Sequence, residues 1–274
     1  MMHLDPEKVA AVIVDIAERE IAPRFGQLKP EEIREKSSAS DLVTEVDEAT
    51  ERALTIALSD LYPGATVIGE ESAAANPKLG DALQGDGVFW IVDPLDGTRN
   101  FVQGRKEFGT IVALVENGVT RMGWIYAVPE QKCAIAVEGS GANWDGVTIT
   151  PKQSTAEADN GRLNGLRSIG WLTPDWKKVI VDNLSSEFST NAHHCSAYGY
   201  LMTALGEVDF KLSSSIHPWD HAAGALLVAE TGGQARFVDD FSDYKPAPSD
   251  YRPLLVSASG RDWQSITDTL RKPV

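Results

Sequence analysis

Two aspartates, Asp93 and Asp96, stand three positions apart in the run "FWIVDPLDGTRNF" at 89–101. A second acidic pair, Glu70-Glu71, lies in "TVIGEES" at 66–72, and Asp220 follows Trp219 in "PWDHAAGALLVAETGG" at 218–233. Carboxylates brought together repel one another unless they take up protons or share a cation. Their oxygens are hard ligands, suited to Mg²⁺ or Mn²⁺ better than to zinc. A carboxylate shared by two such ions sets up a centre that acidifies water and stabilises a leaving oxygen. Directly after Asp96, Gly97 and Thr98 offer backbone N–H groups to an anion if a helix begins there, and the Thr98 hydroxyl is suited to orienting a water molecule. On spacing alone a second reading stands beside this one: acids at strand ends serve as solvated turn residues or helix caps.

The elements that must position these acids have their own signals. Phe89, Trp90, Ile91 and Val92 are large, apolar and partly β-branched, so they read as a buried strand running into Asp93. "TVIGEES" reads as a short strand that ends in its acids, followed by a loop over 73–88. Asp220 opens an apolar helix that stops at Gly232-Gly233. Upstream, Val9, Val12, Ile13, Ile16 and Ile21 mark a helix within 5–24. After the polar turn 36–41, a second helix carries Val46, Ala49, Ala53, Leu54, Ala57, Leu58 and Leu61 as far as Pro63-Gly64. Strands at 108–115, 119–127 and 131–137, the first two joined through Asn-Gly, suggest an antiparallel meander, and "GANWDG" at 141–146 reads as a turn. The polar stretch 150–165 marks an internal boundary between an N-terminal half, 1–150, and a C-terminal half, 151–274, fused as one catalytic unit. The second half alternates strand and helix: strands at 166–170, 209–213, 235–238 and 253–259, helices at 173–184, 196–206 and 260–272. The expected class is α+β, with helices and strands in layers.

A chain of 274 residues builds a sizeable core. Its formal net charge of −15 argues against nucleic acid as a partner, because phosphate-backbone binding needs a basic face. The two cysteines, Cys133 and Cys195, are far apart, match no zinc spacing and read as reduced thiols. The N-terminus does not read as a signal peptide and no apolar run is long enough to span a bilayer, so a cytoplasmic protein without a membrane partner is expected.

"GEES" at 69–72, "WIVDPLDGTRNF" at 90–101 and "PWDHAAGALLVAETGG" at 218–233 resemble, in order, the three signature motifs of the inositol monophosphatase family. These are Mg²⁺-dependent, lithium-sensitive phosphatases, in one superfamily with fructose-1,6-bisphosphatase and the 3′(2′),5′-bisphosphate nucleotidases. "KSSASDLVTEVDEATE" at 36–51 is similar to the family's N-terminal element, and the resemblance runs from about residue 8 to residue 260. It implies a layered α/β/α/β/α sandwich of the inositol monophosphatase and fructose-1,6-bisphosphatase type, in a homodimer. It implies two to three Mg²⁺ ions, with Mn²⁺ as a substitute. Glu70 would bind the first metal and partner the attacking water, and Asp93 would bridge the first and second metals. The Leu95 carbonyl would complete the first site, while Asp96 and Asp220 would hold the second metal. Thr98 with Asp47 would polarise the nucleophilic water, the Gly97 and Thr98 amides would hold the phosphate, and Lys36 matches a basic residue near a third, weaker metal position.

Around these positions, Glu71 reads as a supporting or surface acid, and His217 and Trp219 as structural. His221 orients a ligand, caps its helix or contacts substrate; Arg99 reaches phosphate or a subunit interface. His193 and His194 are adjacent, and consecutive side chains on a strand point apart, so they do not share a metal. Inositol-specific members carry a glutamate shortly before the Trp-Asp motif, and here Ser213 falls at that place. "CSAYGYLMTALGEVDF" at 195–210 resembles the family's substrate helix, made bulkier by Cys195, Tyr198 and Tyr200. Ser196, Tyr198 and Ser213 are the implied substrate contacts. Inositol monophosphate is the default substrate, histidinol phosphate and a 3′-phosphonucleotide stay open, and a non-catalytic regulatory protein on this fold is the reading from a different class.

Overall fold

The computed structural model describes residues 4–38, 41–152 and 162–271, without the side chains of residues 30, 35–38, 41 and 175. The first helix, α1 (Pro6–Glu20), starts where Asp5 accepts a hydrogen bond from the Glu7 amide and Pro6 needs no donor; its stripe of Val9, Ala10, Ile13, Ile16 and Ala17 is buried. Two short strands, β1 (Ile33–Ser38) and β2 (Asp41–Thr44), pair antiparallel. They lead into α2 (Glu45–Leu61), opened by a capping box of Thr44 and Asp47.

A seven-stranded sheet follows. It comprises β3 (Thr66–Gly69), β4 (Val88–Asp96), β5 (Gly109–Glu116), β6 (Val119–Ala127), β7 (Lys132–Val137), β8 (Gly141–Trp144) and β9 (Val147–Thr148), paired in chain order. Only β3 and β4 run parallel; the rest form a meander. Three short helices sit among these strands: α3 (Glu70–Ala75), α4 (Lys78–Asp81) and α5 (Thr98–Val102). The later part contributes β10 (Asn164–Ser168), α6 (Pro174–Glu187), β11 (Ser189–Ala192), α7 (Ser196–Ala204), β12 (Phe210–Ser213), α8 (Pro218–Glu230), β13 (Gln234–Phe237), β14 (Leu254–Ser257) and α9 (Trp263–Leu270). Its five strands lie in the order β11-β10-β12-β14-β13, with β10 parallel to both neighbours.

The cores order the layers. On β4, Trp90, Val92 and Leu95 face α1 and α2, while Phe89 and Ile91 share a second core with α7, α8 and the inner face of the five-stranded sheet. Both faces of β4 are covered, which is why its sequence is apolar without alternation. α8 is apolar nearly all round because it lies between the two sheets. A third core joins Phe210, Leu212 and Leu255 to α6 and α9. The result is a five-layer α/β/α/β/α sandwich. Among the described residues no helix is long and apolar enough to cross a membrane.

Three readings need correction. The strand before the acids ends at Gly69, and Glu70 is the first residue of a helix, because the Glu51 carboxylate accepts from the amides of Glu71 and Ser72 at 2.7 and 2.9 Å and so caps a helical turn. The span 73–88 is not one loop: it holds the end of α3, then α4 and a 3₁₀ turn. Of "GANWDG", residues 141–144 form β8, with Ala142 buried in the core; the turn is confined to Asp145 and Gly146, both left-handed at φ 53° and 76° as a two-residue hairpin requires. Of the boundary stretch 150–165, residues 153–161 lie outside the described residues.

Candidate active site

On a regular strand, residues three apart face opposite sides. Asp93 and Asp96 escape that rule because the β4–β5 register shifts between them: Asp93 stands opposite Ile111 and Asp96 opposite Gly109. Pro94 has no N–H for the ladder, and its carbonyl accepts from the Thr110 hydroxyl at 2.9 Å instead. Gly97 then turns the chain at φ +84°, where an added Cβ would lie 2.7 Å from the Glu107 carbonyl oxygen. The turn delivers Thr98 to the start of α5.

Asp96 reaches across to α7, accepting from the Ser196 and Ala197 amides at 3.1 and 2.6 Å and from the Cys195 thiol at 2.8 Å. Asp220 arrives on the first turn of α8. Carboxylate oxygens of Asp93, Asp96 and Asp220 lie within 4.8 Å of one another. Burial pushes the Asp93 carboxyl well up, and the charges of Glu70, Asp96, Asp220 and Asp47 push it further. Asp220 is driven well up by burial, Asp96 and Glu70, and is eased by Lys211. Asp96 is raised less far, since its bonds from Cys195, Ala197 and Ser196 oppose burial. Glu70, at the start of α3, acts on all of these groups and on Asp47, so four chain segments converge here. The donors are all oxygen and their charge is mostly uncompensated. That cradle fits a divalent hard cation, which would remove the repulsion that lifts these carboxyls.

Thr98 Oγ1 lies 2.9 Å from Asp47 Oδ1 and 2.9 Å from the Leu95 carbonyl oxygen. Asp47 Oδ2 accepts from the Thr44 amide and hydroxyl at 2.8 and 2.6 Å. Burial above all, with the charge of Glu70, raises Asp47 to about 6.

Other expected positions are distributed as follows. Ser196 bonds Asp96 through its amide, and Tyr198 is half-buried with its hydroxyl donating to Glu130. Tyr200 is fully buried in the core, so the two tyrosines do not form one exposed aromatic face. Ser213 is buried and its hydroxyl lies 2.5 Å from Lys211 Nζ. Burial pushes His221 well down, so its ring is neutral; with Nε2 3.0 Å from the Ser215 carbonyl, Nε2 carries the proton and Nδ1 accepts from the Tyr200 hydroxyl at 2.6 Å. His217 lies between the hydroxyls of Ser215 and Ser249 and stacks on Trp219. Arg99 is exposed, as is His194, while His193 is partly buried beyond the end of β11. Glu71 gives its amide to Glu51. Both cysteines are free and buried. The Lys36 side chain lies outside the described residues.

Glu51 escaped the sequence reading. It is buried, caps α3 and so fixes where Glu70 stands. A side chain at Gly69 would have to displace that cap, since a Cβ would lie 2.2 Å from the Glu51 carboxyl carbon. The available signal was an acid four residues after Asp47, on the helix face that buries Leu54 and Leu58. Glu51→Ala leaves two α3 amides without their acceptor and is expected to cost about 2–3 kcal/mol, read as a fall of several degrees in the melting temperature.

The sequence profile described as "Inositol monophosphatase family" matches residues 5–266. The chain is 31% identical over 222 residues to the inositol-1-monophosphatase of Bacillus subtilis, covering 78% of this chain and 80% of that one. It is 32% identical over 203 residues to inositol monophosphatase 1 of Sus scrofa, covering 72% of each, and 30% identical over 197 residues to the Nus factor SuhB of Pasteurella multocida, again 72% of each. Among solved structures it superposes on an IMPase of Thermotoga maritima at a TM-score of 0.74 and 23% identity, covering 96% of both chains. The suppressor protein SuhB of Bartonella henselae gives 0.77 at 22% identity, over 97% of this chain and all of that one. The profile spans nearly the whole chain and the curated relatives cover more than two thirds of it, so this protein belongs to the inositol monophosphatase family, a family of metal-dependent phosphoric monoester hydrolases.

Proposed function

We propose that the protein is a Mg²⁺-dependent phosphomonoesterase that hydrolyses a small phosphorylated metabolite, inositol monophosphate by default, through attack of a water molecule. The observation that carries this reading is the meeting of Asp93, Asp96 and Asp220 within 4.8 Å, beside the Thr98–Asp47 pair. Asp93, Asp96 and Asp220, with Glu70 and the Leu95 carbonyl, would hold the ions. Bound there, Mg²⁺ supplies charge neutralisation for the phosphoryl group and lowers the pKa of water. Thr98 has one hydroxyl proton and two acceptors near it; donating to Asp47, it leaves its lone pairs to orient the attacking water. With its carboxyl raised to about 6, Asp47 is an effective proton acceptor near neutral pH, reached through the Thr98 hydroxyl. The Gly97 and Thr98 amides hold the phosphate oxygens.

Thr98→Val keeps the side-chain shape and removes the hydroxyl. It is expected to lower kcat about a hundredfold with little change in KM, because the hydroxyl acts on water and not on substrate. A kcat within threefold of the parent enzyme would remove Thr98 from the reaction.

A second reading within the class is a ring-bearing phosphate, such as histidinol phosphate or a 3′-phosphonucleotide. It is favoured by Ser213, which brings no charge to the place of the polyol-binding glutamate and is turned toward Lys211. It is favoured also by Trp171 and Tyr251, ring centroids 5.5 Å apart and about half exposed or more, held next to Ser214 by the Trp171 amide. The deciding experiment is a phosphate-release screen with and without Mg²⁺ over inositol monophosphates, histidinol phosphate, fructose 1,6-bisphosphate and adenosine 3′,5′-bisphosphate. Highest kcat/KM on inositol monophosphate supports the default, and highest kcat/KM on a ring-bearing substrate replaces it with the second reading. No Mg²⁺-dependent release on any of them overturns both and favours a regulatory role, as the name of the Pasteurella relative suggests.

A further inference from the structure

Four aromatic rings from three chain segments touch in series beside the first turn of α8. Trp219, half-buried, stacks on His217 with the two rings parallel and their centroids 5.2 Å apart. Tyr251 meets His217 edge to face at 6.2 Å, and Trp171 lies against Tyr251 at 5.5 Å, tilted by 42°. At the outer end Trp171 is 60% exposed and Tyr251 49%, more than any other tryptophan, tyrosine or phenylalanine among the described residues. One exposed ring is ordinary. Two in contact, each with about half its surface or more in water, mark a binding surface.

Both outer rings are fixed to the turn 214–217, which leads from β12 into α8. The Trp171 amide donates to the Ser214 hydroxyl at 3.1 Å, and the Ser214 amide donates to the Ser168 carbonyl at 2.9 Å. Tyr251 follows Asp250, which exchanges two backbone hydrogen bonds with Ile216 at 2.8 and 3.0 Å. The same turn holds the helix that brings Asp220. The His217 carbonyl accepts from the Asp220 amide at 3.2 Å, and the Ser215 carbonyl lies 3.0 Å from His221 Nε2. Ile216 is four residues from Asp220, at most about 14 Å of chain. A phosphate held at the acid cluster therefore has these rings within reach of the alcohol it esterifies.

The hydroxyls around this turn already have partners. Ser213 is taken by Lys211 Nζ at 2.5 Å and Ser214 by the Trp171 amide, while Ser215 and Ser249 hold the two ring nitrogens of His217 at 2.9 and 2.7 Å. A polyol, recognised through hydrogen bonds, finds these groups engaged. A flat ring finds aromatic faces. Resting on the ring-bearing reading above, we propose that Trp171 and Tyr251 are the specificity-determining pair of this site, which stacks on an aromatic heterocycle carried by the alcohol of the phosphate ester while the acid cluster takes the phosphate. Stacking of a base on an aromatic side chain strengthens binding by about tenfold or more. The pair is set by backbone hydrogen bonds before substrate arrives, so little ordering is lost when the ring docks.

The test compares the intact parent protein with Trp171→Ala, Tyr251→Ala and Trp171→Phe in saturating Mg²⁺. Phosphate release is measured on adenosine 3′,5′-bisphosphate, histidinol phosphate and inositol monophosphate. In parallel, adenosine and histidinol, which carry the rings without a phosphate, are titrated into each protein by calorimetry. Each alanine variant is expected to lower the ratio of kcat/KM on the ring-bearing substrate to kcat/KM on inositol monophosphate about tenfold, through KM, and to weaken binding of the matching alcohol by a similar factor. Trp171→Phe keeps a ring and recovers most of both. Whether the adenine or the imidazole arm responds identifies the heterocycle. Should an alanine variant fail to fold, leucine at the same position removes the ring and keeps apolar bulk. Ratios within twofold of the parent, or equal losses on ring-bearing and ring-free substrates, assign the two rings to packing and overturn the proposal. A parent that releases phosphate from inositol monophosphate alone and binds neither alcohol overturns the ring-bearing reading, and this inference with it. Binding of adenosine or histidinol that the alanine variants lose, without release from any substrate, upholds the stacking pair and overturns the phosphatase reading alone.

Discussion

Asp93→Asn is expected to lower the proposed Mg²⁺-dependent phosphate release by about three orders of magnitude and to leave the fold standing. Asp93 is the most crowded acid of the site: it is 2% exposed, and four other carboxylates raise it. Asparagine keeps the size of the side chain and an oxygen to accept from the Leu95 amide, which Asp93 Oδ1 receives at 3.1 Å. On the proposed metal assignment it removes the charge that a ligand bridging two cations would supply. Loss of a single preorganised electrostatic group costs about a hundred- to a thousandfold in rate, and a ligand common to both metal positions belongs at the upper end of that range. Stability moves the other way. Removing a buried, mutually repelled carboxylate relieves the cluster, so in EDTA the variant melts no lower than the parent. Steady-state phosphate release, with circular dichroism and calorimetry on the same samples, separates the two effects. Retention of more than about a tenth of the activity would refute the bridging role.

Much of the scaffold was legible because its signals are local. The apolar stripes of α1 and α2, the Pro63-Gly64 stop and the continuous apolar run of β4 are each read from neighbouring residues. The convergence of the acids is a tertiary property. Asp93 and Asp96 at odd spacing would point apart on an ideal strand, and Pro94 announces a break without giving its direction. Asp220 could be joined to them only through the motif resemblance. α3 was missed because its capping acid, Glu51, lies twenty residues upstream of the amides it receives. The buried Lys211 gave no warning either: nothing in "DFKLS" sets its lysine apart from a solvated one, and Gly199, which leaves room for its stem, belongs to another element.

Removing divalent cations with EDTA is expected to stop turnover and also to set the sign of the pH dependence of stability. In the metal-free chain Asp47, Asp93, Asp96 and Asp220 all bind protons more tightly folded than unfolded. Over the pH window between their unfolded and folded values the native state carries the extra protons, so stability falls as pH rises. For Asp47 that window runs from 3.8 to about 6, and Asp93, Asp96 and Asp220 act in the same direction. Two histidines oppose this in acid. His193 is held down to about 4 from 6.5, chiefly by burial, and His221 is lowered further, so stability they contribute at neutral pH is lost as pH falls below 6.5. Above 6.5 the unfolded histidines are already neutral, so the slope that remains has the sign set by the raised carboxyls. The metal-free protein is therefore expected to lose, not gain, melting temperature as pH rises above 6.5. With saturating Mg²⁺ the slope reverses in that interval: the cation competes with protons for the same oxygens, so its binding strengthens as they ionise. Scanning calorimetry at about pH 6 to 8, in EDTA and in Mg²⁺, reads both slopes. A metal-free melting temperature that climbs across that interval would mean that the four carboxyls are not held in one buried, mutually repelling cluster.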